Sequence, residues 1–280
     1  MKVAVSVRSF ALDFYRGEMD LEKFIWKAKE LGADAVELSS FYWRDRNAEI
    51  GKVKSALKEA KMPVCTWAVW NNFVNPDLVQ REEALNSIYN GIEEAVNLNC
   101  GVVRVLLGTV ANGVLFQTAL DWIVTGLVEA VKYAAPHGVV LAIENHGFLV
   151  SKAEQIEDVI KTVGSPILRV NVDTGNFLLV NQSPADAIRR LAPWIISVHL
   201  KDYKEVPIGY QGNACIAADG RKYMGTVLGE GDADIQECLK VLRETGYKGY
   251  LSIEYEGDED PSAAVSKSIA YVRSLLASPN

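Results

Sequence analysis

Eight short runs rich in β-branched residues recur along the chain, at residues 3–7, 35–39, 64–69, 102–107, 140–145, 168–173, 195–199 and 250–254, with helix-type periodicity in the gaps between them. Alternation of this kind builds βαβ units and a parallel sheet. Several helix boundaries can be read without hydropathy: Asp20, Ser151 and Asp234 stand as N-caps, and Gly32, Gly164 and Gly246 as the matching C-terminal stops. Eight repeats of about 35 residues account for all 280 residues, the length of a (β/α)8 barrel with a few loop insertions. The pattern predicts one α/β domain over residues 1–280, a single (β/α)8 TIM barrel. A doubly wound open sheet is the other fold it allows.

Two connections are longer than a barrel needs. Residues 201–233, rich in Gly, Tyr, Asn and Asp, separate the seventh run from its helix, and residues 70–78 follow the third. No low-complexity linker or charge block marks a domain boundary.

Four of the eight runs end on residues that bind metals: Leu-Ala-Ile-Glu144, Val-Asn-Val-Asp173, Ile-Ser-Val-His199 and Leu-Ser-Ile-Glu254. If the runs are buried parallel strands, these side chains gather on the face where barrel enzymes assemble their active sites. Three carboxylates held within a few ångströms repel one another at a cost of several kcal/mol. A divalent cation resolves that conflict, and a mostly oxygen donor set with one imidazole suits Mn²⁺, Mg²⁺ or Co²⁺ and admits Zn²⁺.

Other polar residues fall near these strand ends. Lys201 follows His199 at strand alternation and is placed to bind a substrate hydroxyl or phosphate, and His146 lies just past Glu144, where an imidazole can orient the substrate or serve as an acid or base. Trp67 and Trp70 with Asn71 and Asn72 supply flat apolar faces and amides, as carbohydrate sites do. Arg221 and Asp219, in the long connection, reach toward the same mouth. Arg104 and Glu37 are charges inside apolar strands and call for buried partners, Glu144 or Glu37 for the arginine.

Composition narrows the partners. A formal charge of −7 lacks the basic stripe that phosphate neutralisation requires, which disfavours nucleic acid and leaves a small polar molecule as the more natural partner. Cys65, Cys100, Cys215 and Cys238 are scattered and read as reduced thiols. No apolar stretch approaches the roughly 18 residues of a membrane span. The expected setting is cytoplasmic, with no membrane contact. Phe41, Tyr42, Trp43 and Phe73 suit either a homodimer contact or packing over the barrel top. There is no nucleophile elbow, P-loop or dinucleotide fingerprint.

The segments Ile-Glu144-Asn-His146-Gly, Asn-Val-Asp173-Thr-Gly-Asn176, Ser-Val-His199-Leu-Lys201-Asp and Ser-Ile-Glu254-Tyr-Glu256-Gly resemble the xylose isomerase-like TIM-barrel superfamily, in particular its sugar-phosphate isomerases and epimerases. The resemblance implies one divalent metal on Glu144, Asp173, His199 and Glu254, with the two glutamates doubling as the proton-transfer pair of a ketose isomerase or epimerase that works through a metal-chelated enediolate. Relatives in endonuclease family 2, which cut abasic DNA, use a histidine-rich trinuclear zinc cluster. This chain, with only His137, His146 and His199, cannot build one. An inosose dehydratase-like lyase keeps the same fold and metal and is the alternative reaction, and a non-catalytic sugar-binding barrel is the alternative of another class.

Overall fold

In a computed structural model, which describes residues 1–278, the eight runs become parallel strands of a closed barrel. Pro279 and Asn280, the end of the expected 1–280 domain, lie outside the described residues. The first half of the chain comprises β1 (Lys2–Ser6), α1 (Ala11–Tyr15), α2 (Leu21–Glu30), β2 (Ala35–Ser39), α3 (Arg46–Ala60), β3 (Val64–Ala68), α4 (Leu78–Asn97), β4 (Val102–Val105) and α5 (Phe116–Ala134). Then come β5 (Val140–Glu144), α6 (Ala153–Val163), β6 (Leu168–Asp173), α7 (Thr174–Leu179), α8 (Pro184–Leu191), β7 (Ile195–Leu200), β8 (Asp202–Val206), β9 (Cys215–Ile216), β10 (Lys222–Thr226), α9 (Ile235–Glu244), β11 (Tyr250–Ile253) and α10 (Pro261–Ala277). The barrel runs β1-β2-β3-β4-β5-β6-β7-β11 and closes back on β1. This is a single (β/α)8 barrel, not an open sheet.

The helices cover it with one apolar face each. On α6 the buried positions are Ala153, Ile156, Val159 and Ile160, a helical spacing that turns one stripe inward and leaves the rest to water. Asp20 accepts the Lys23 N–H at 2.8 Å and Asp234 the Glu237 N–H at 3.1 Å, and Gly32, Gly164 and Gly246 all take positive φ, as the stop signals require. Ser151 departs from expectation. It is buried, and its hydroxyl donates to the carbonyls of His146 and Gly147 at 3.0 and 2.7 Å. Gln155 caps α6 instead, its side-chain oxygen accepting the Ser151 and Lys152 N–H groups at 3.2 and 3.1 Å.

The long connection is not an open loop. β8, β10 and β9 form an antiparallel sheet whose buried Tyr203, Ala217 and Tyr223 pack on Leu178 and Leu179. A Cβ on Gly175 would stand 2.8 Å from Lys201 Cγ and 2.9 Å from Tyr203 Cδ2, so the close approach of α7 to this segment needs glycine there. Asp202 ties down the far end of the segment by accepting the backbone N–H groups of Gly229, Gly231 and Ala233 at 2.9, 3.1 and 3.0 Å. The four cysteines are free. Among the described residues no helix is long and apolar enough to cross a membrane.

Candidate metal centre

Glu144 and Asp173 end β5 and β6, His199 is the last residue but one of β7, and Glu254 follows β11 directly. All four are buried. Asp173 and His199 are register partners across β6 and β7, and the Glu254 N–H carries the β11–β7 ladder one step further to the Leu200 carbonyl, at 3.0 Å. Asn145 braces the other side: its amide donates to the Asp173 carbonyl at 2.9 Å and accepts the Asp173 N–H at 2.7 Å. The backbone positions of these residues are therefore set by strand pairing.

The imidazole lies at the centre. His199 Nδ1 is 3.0 Å from Glu254 Oε2, 3.4 Å from Glu144 Oε1 and 3.7 Å from Asp173 Oδ2, so one oxygen of each carboxylate faces it. On the ring's other side, Nε2 lies 2.8 Å from Glu37 Oε2, and Glu37 Oε1 accepts the Ser6 hydroxyl at 3.0 Å. Glu37 holds the ring by Nε2, so Nδ1 is the nitrogen turned toward the three oxygens and, once it has lost its proton, the one available to a metal.

Each glutamate has its own counter-charge. Arg104 Nε is 3.1 Å from Glu144 Oε2, while Lys201 Nζ is 2.7 Å from Glu254 Oε1, 2.9 Å from Asp173 Oδ2 and 3.5 Å from Glu256 Oε2. Asp173 Oδ1 caps α7 through the Asn176 N–H at 3.0 Å, and the Asn176 amide extends toward Glu144 Oε1 at 3.5 Å. Burial alone would raise the carboxyl pKa values, and these neighbours overturn it. Arg104 and His199 bring Glu144 down to about 2, and Lys201 and His199 hold Glu254 well below the usual carboxylate range. Burial opposes charge on Lys201 and His199 too, yet the facing carboxylates keep both far above their ordinary values: Asp173 and Glu254 for the lysine, Glu37 and Glu254 for the ring.

The donor set fits a divalent cation. The ligand atoms of Glu144, Asp173 and His199 lie within 4.8 Å of one another, as do those of Glu37, His199 and Glu254. Among the described residues His199 Nδ1 is buried with no partner in hydrogen-bonding geometry. Buried polar atoms are rarely left so, and this one faces an oxygen of each of the three carboxylates.

The remaining expected site residues are placed differently. His146, two residues beyond Glu144, meets the exposed Trp70 edge to face, ring centroids 6.0 Å apart. Trp67 is fully buried and faces the helical layer, 5.9 Å from the Trp43 ring, because strand alternation turns it away from the barrel interior. The Asn72 amide oxygen accepts the Val74 and Thr109 N–H groups at 2.9 and 3.3 Å, which occupies it in shaping its loop. Asn71 likewise bridges to the backbone of Leu106. Arg221 is drawn aside by Asp219, Asn181 and Glu205, at 2.7, 3.1 and 3.4 Å, so the structure does not bring it to the carboxylates.

Glu256 was given no role by the sequence. Its carboxylate takes Arg8 Nε at 2.7 Å and the Tyr203 hydroxyl at 2.8 Å as well as facing Lys201. The signal was present, since two residues after Glu254 an extended chain returns to the same side.

The chain belongs to the xylose isomerase-like TIM barrel family, whose model matches residues 25–275. Inosose dehydratase of Clostridium botulinum (strain Alaska E43 / Type E3) is 28 % identical over 149 residues, 51 % of this chain and 49 % of that protein. The chain thus spans about half the length of the curated relatives it matches. Among solved structures, the IOLI protein with a bound zinc atom superposes with a TM-score of 0.79 at 17 % identity, over 99 % of this chain and 98 % of that one. D-psicose 3-epimerase from Clostridium cellulolyticum H10, solved with D-tagatose, gives a TM-score of 0.77 at 18 % identity over 99 % of both chains. Relatives and neighbours therefore include both dehydratases and epimerases.

Proposed function

We propose that this protein is a divalent-metal-dependent enzyme that moves a proton next to the carbonyl of a ketose or related keto-sugar, with isomerisation or epimerisation as its reaction. The observation that carries the reading is the His199 ring, whose Nδ1 faces one oxygen of each of Glu144, Asp173 and Glu254 while Glu37 holds its far side. Glu144, Asp173, His199 and Glu254 would hold the metal. Bound there, Mn²⁺, Mg²⁺, Co²⁺ or Zn²⁺ supplies a Lewis acid that polarises a carbonyl and acidifies the neighbouring C–H.

The chain's own groups then divide the work. Glu144 and Glu254 come from strands separated by β6 and β7, so they approach the centre from different sides, as removal and return of a proton on opposite faces requires. Arg104 cannot give up its proton at working pH, and it fixes Glu144 as an acceptor. Lys201, 2.7 Å from Glu254 Oε1, fixes the orientation of that carboxylate as the second member of the pair.

A second reading is dehydration, favoured by the inosose dehydratase relatives and by the donors Lys201 and Tyr203 gathered around Glu256, which could protonate a leaving hydroxyl. The deciding experiment is NMR of the Mg²⁺- or Zn²⁺-loaded protein with ketoses, ketose phosphates and inososes in D₂O. Carbon-bound deuterium in an isomeric product supports the first reading, and deuterium with loss of water supports the second. Metal binding without exchange on any of these substrates removes the proton-transfer roles of both glutamates.

A further inference from the structure

A groove of about 720 Å³ lies between α3 and α4, beside the ends of β2 and β3. Three of the chain's six tryptophans line it: Trp43, Trp67 and Trp70. Trp43 and Trp67 sit together with ring centroids 5.9 Å apart, and Trp70, 60 % exposed, stands at the end nearest the barrel mouth. Trp70 also meets His146, two residues from Glu144, edge to face. One side chain therefore borders both this groove and the loop that follows β5.

The rim is polar. Arg46 and Glu94 join across from α3 to α4 at 2.7 Å, and the exposed Asn90 amide makes no hydrogen bond among the described residues. The indole N–H of Trp67 is buried and likewise has no partner there. Its ring edge lies against α4 at Gly91, itself a groove residue, with Cδ1 3.8 Å from where a Cβ would stand. Indole faces with amide, guanidinium and carboxylate groups around them are complementary to a pyranose, which presents C–H bonds on its faces and hydroxyls on its edge.

We infer that this groove is a carbohydrate subsite for a second sugar unit, so that the substrate is a glycoside-like keto-sugar whose reacting unit sits at the metal and whose distal unit lies along Trp70 and Trp43. The inference rests on the metal-centre reading for the position of the reacting unit. The groove itself stands on its own residues, which allows the two to be tested apart.

The test is intrinsic tryptophan fluorescence of the full chain in chelator, titrated with maltose, cellobiose, trehalose, sucrose and glucose, alongside calorimetric titration of Mn²⁺ into the metal-free protein. At least one disaccharide is expected to give a saturable change with a Kd at least tenfold below that of glucose. Trp43→Ala should weaken it tenfold or more and Asn90→Ala severalfold, with Mn²⁺ affinity unchanged within twofold in both. Asn90 is exposed, so its variant remains informative if Trp43→Ala does not fold. No saturable response to any of the four disaccharides, equal affinity for glucose, or indifference to both substitutions overturns the subsite. Mn²⁺ binding without disaccharide binding removes the groove and leaves the metal reading; the reverse removes the metal reading and leaves the groove as a sugar site.

Discussion

The two halves of the barrel mouth place their charges differently. On the β5, β6, β7 and β11 side the charged groups stand at or beside strand ends and converge on one point, through Glu144, Asp173, His199 and Glu254. On the β1 to β4 side Glu37 and Arg104 sit inside their strands and turn toward that point from behind, Glu37 onto the His199 ring and Arg104 onto Glu144. One half presents the cluster of donors that could hold a cation, and the other touches those donors from behind, at the His199 ring and at Glu144. Lys201 is the exception, a cation on the ligand side that faces three carboxylates.

That exception gives the largest expected effect. Removing one member of a buried ion-pair group leaves the others uncompensated, at about 3–5 kcal/mol. Lys201→Met should lose stability on that order in urea denaturation with chelator present. A loss below about 1 kcal/mol would mean that the ammonium balances nothing. Next comes the orienting half: Glu37→Gln keeps the shape but weakens the hold on the His199 Nε2 proton, and changes of this kind lower metal affinity by about 10–100-fold. Calorimetry with Mn²⁺ reads it directly. An unchanged affinity would erase the division of labour between the two halves.

The same contrast explains what could be read from residues alone. That Glu144, Asp173, His199 and Glu254 lie together was legible because four ionisable groups closing successive apolar strands must share one end of the barrel. The eight-strand barrel was legible because capping residues and β-branched runs repeat with one period. Glu37 and Arg104 announced themselves only as charges needing partners, since the partner of a mid-strand charge depends on which strands face each other across the barrel. Trp67 and Asn72 were not legible as structural residues. A tryptophan beside a strand end looks the same whether alternation sends it inward or, as here, out to the helices, and a loop amide looks free until its backbone partners are folded around it. The sheet formed by β8, β9 and β10 was hidden by glycines and polar residues that disguise its small apolar face of Tyr203, Ala217 and Tyr223.

Arg104 permits a test of the contrast by pH. Burial raises the Glu144 pKa, and Arg104 and His199 together outweigh it and bring it to about 2. A depressed carboxyl pKa contributes stability that is present above the unfolded value of about 4.5 and is lost as pH falls through the folded value. For the metal-free protein that window runs from about pH 4.5 down to about 2. Arg104→Met should raise the Glu144 pKa by about 1 unit or more and move the acid-unfolding midpoint upward, with little change near neutral pH in its position relative to the parent's own plateau. An unmoved acid midpoint would mean that His199 alone holds Glu144 ionised.

Arg221 supplies the smallest expected effect and the sharpest contrast with Lys201. Both belong to the segment that follows β7, and both are cations facing carboxylates, yet Lys201 is buried while Arg221 is 43 % exposed on its side chain. Ion pairs open to water contribute only about 0–1 kcal/mol, because solvent screens the attraction and ordering the side chains opposes it. Arg221→Ala should therefore change stability by no more than about 0.5 kcal/mol and leave Mn²⁺ affinity within twofold of the parent. A tenfold loss of metal affinity in that variant would show that the β8–β10 sheet moves Arg221 to the carboxylates when the centre is loaded. The boundary between the metal centre and its surrounding scaffold would then have to be drawn through the sheet itself.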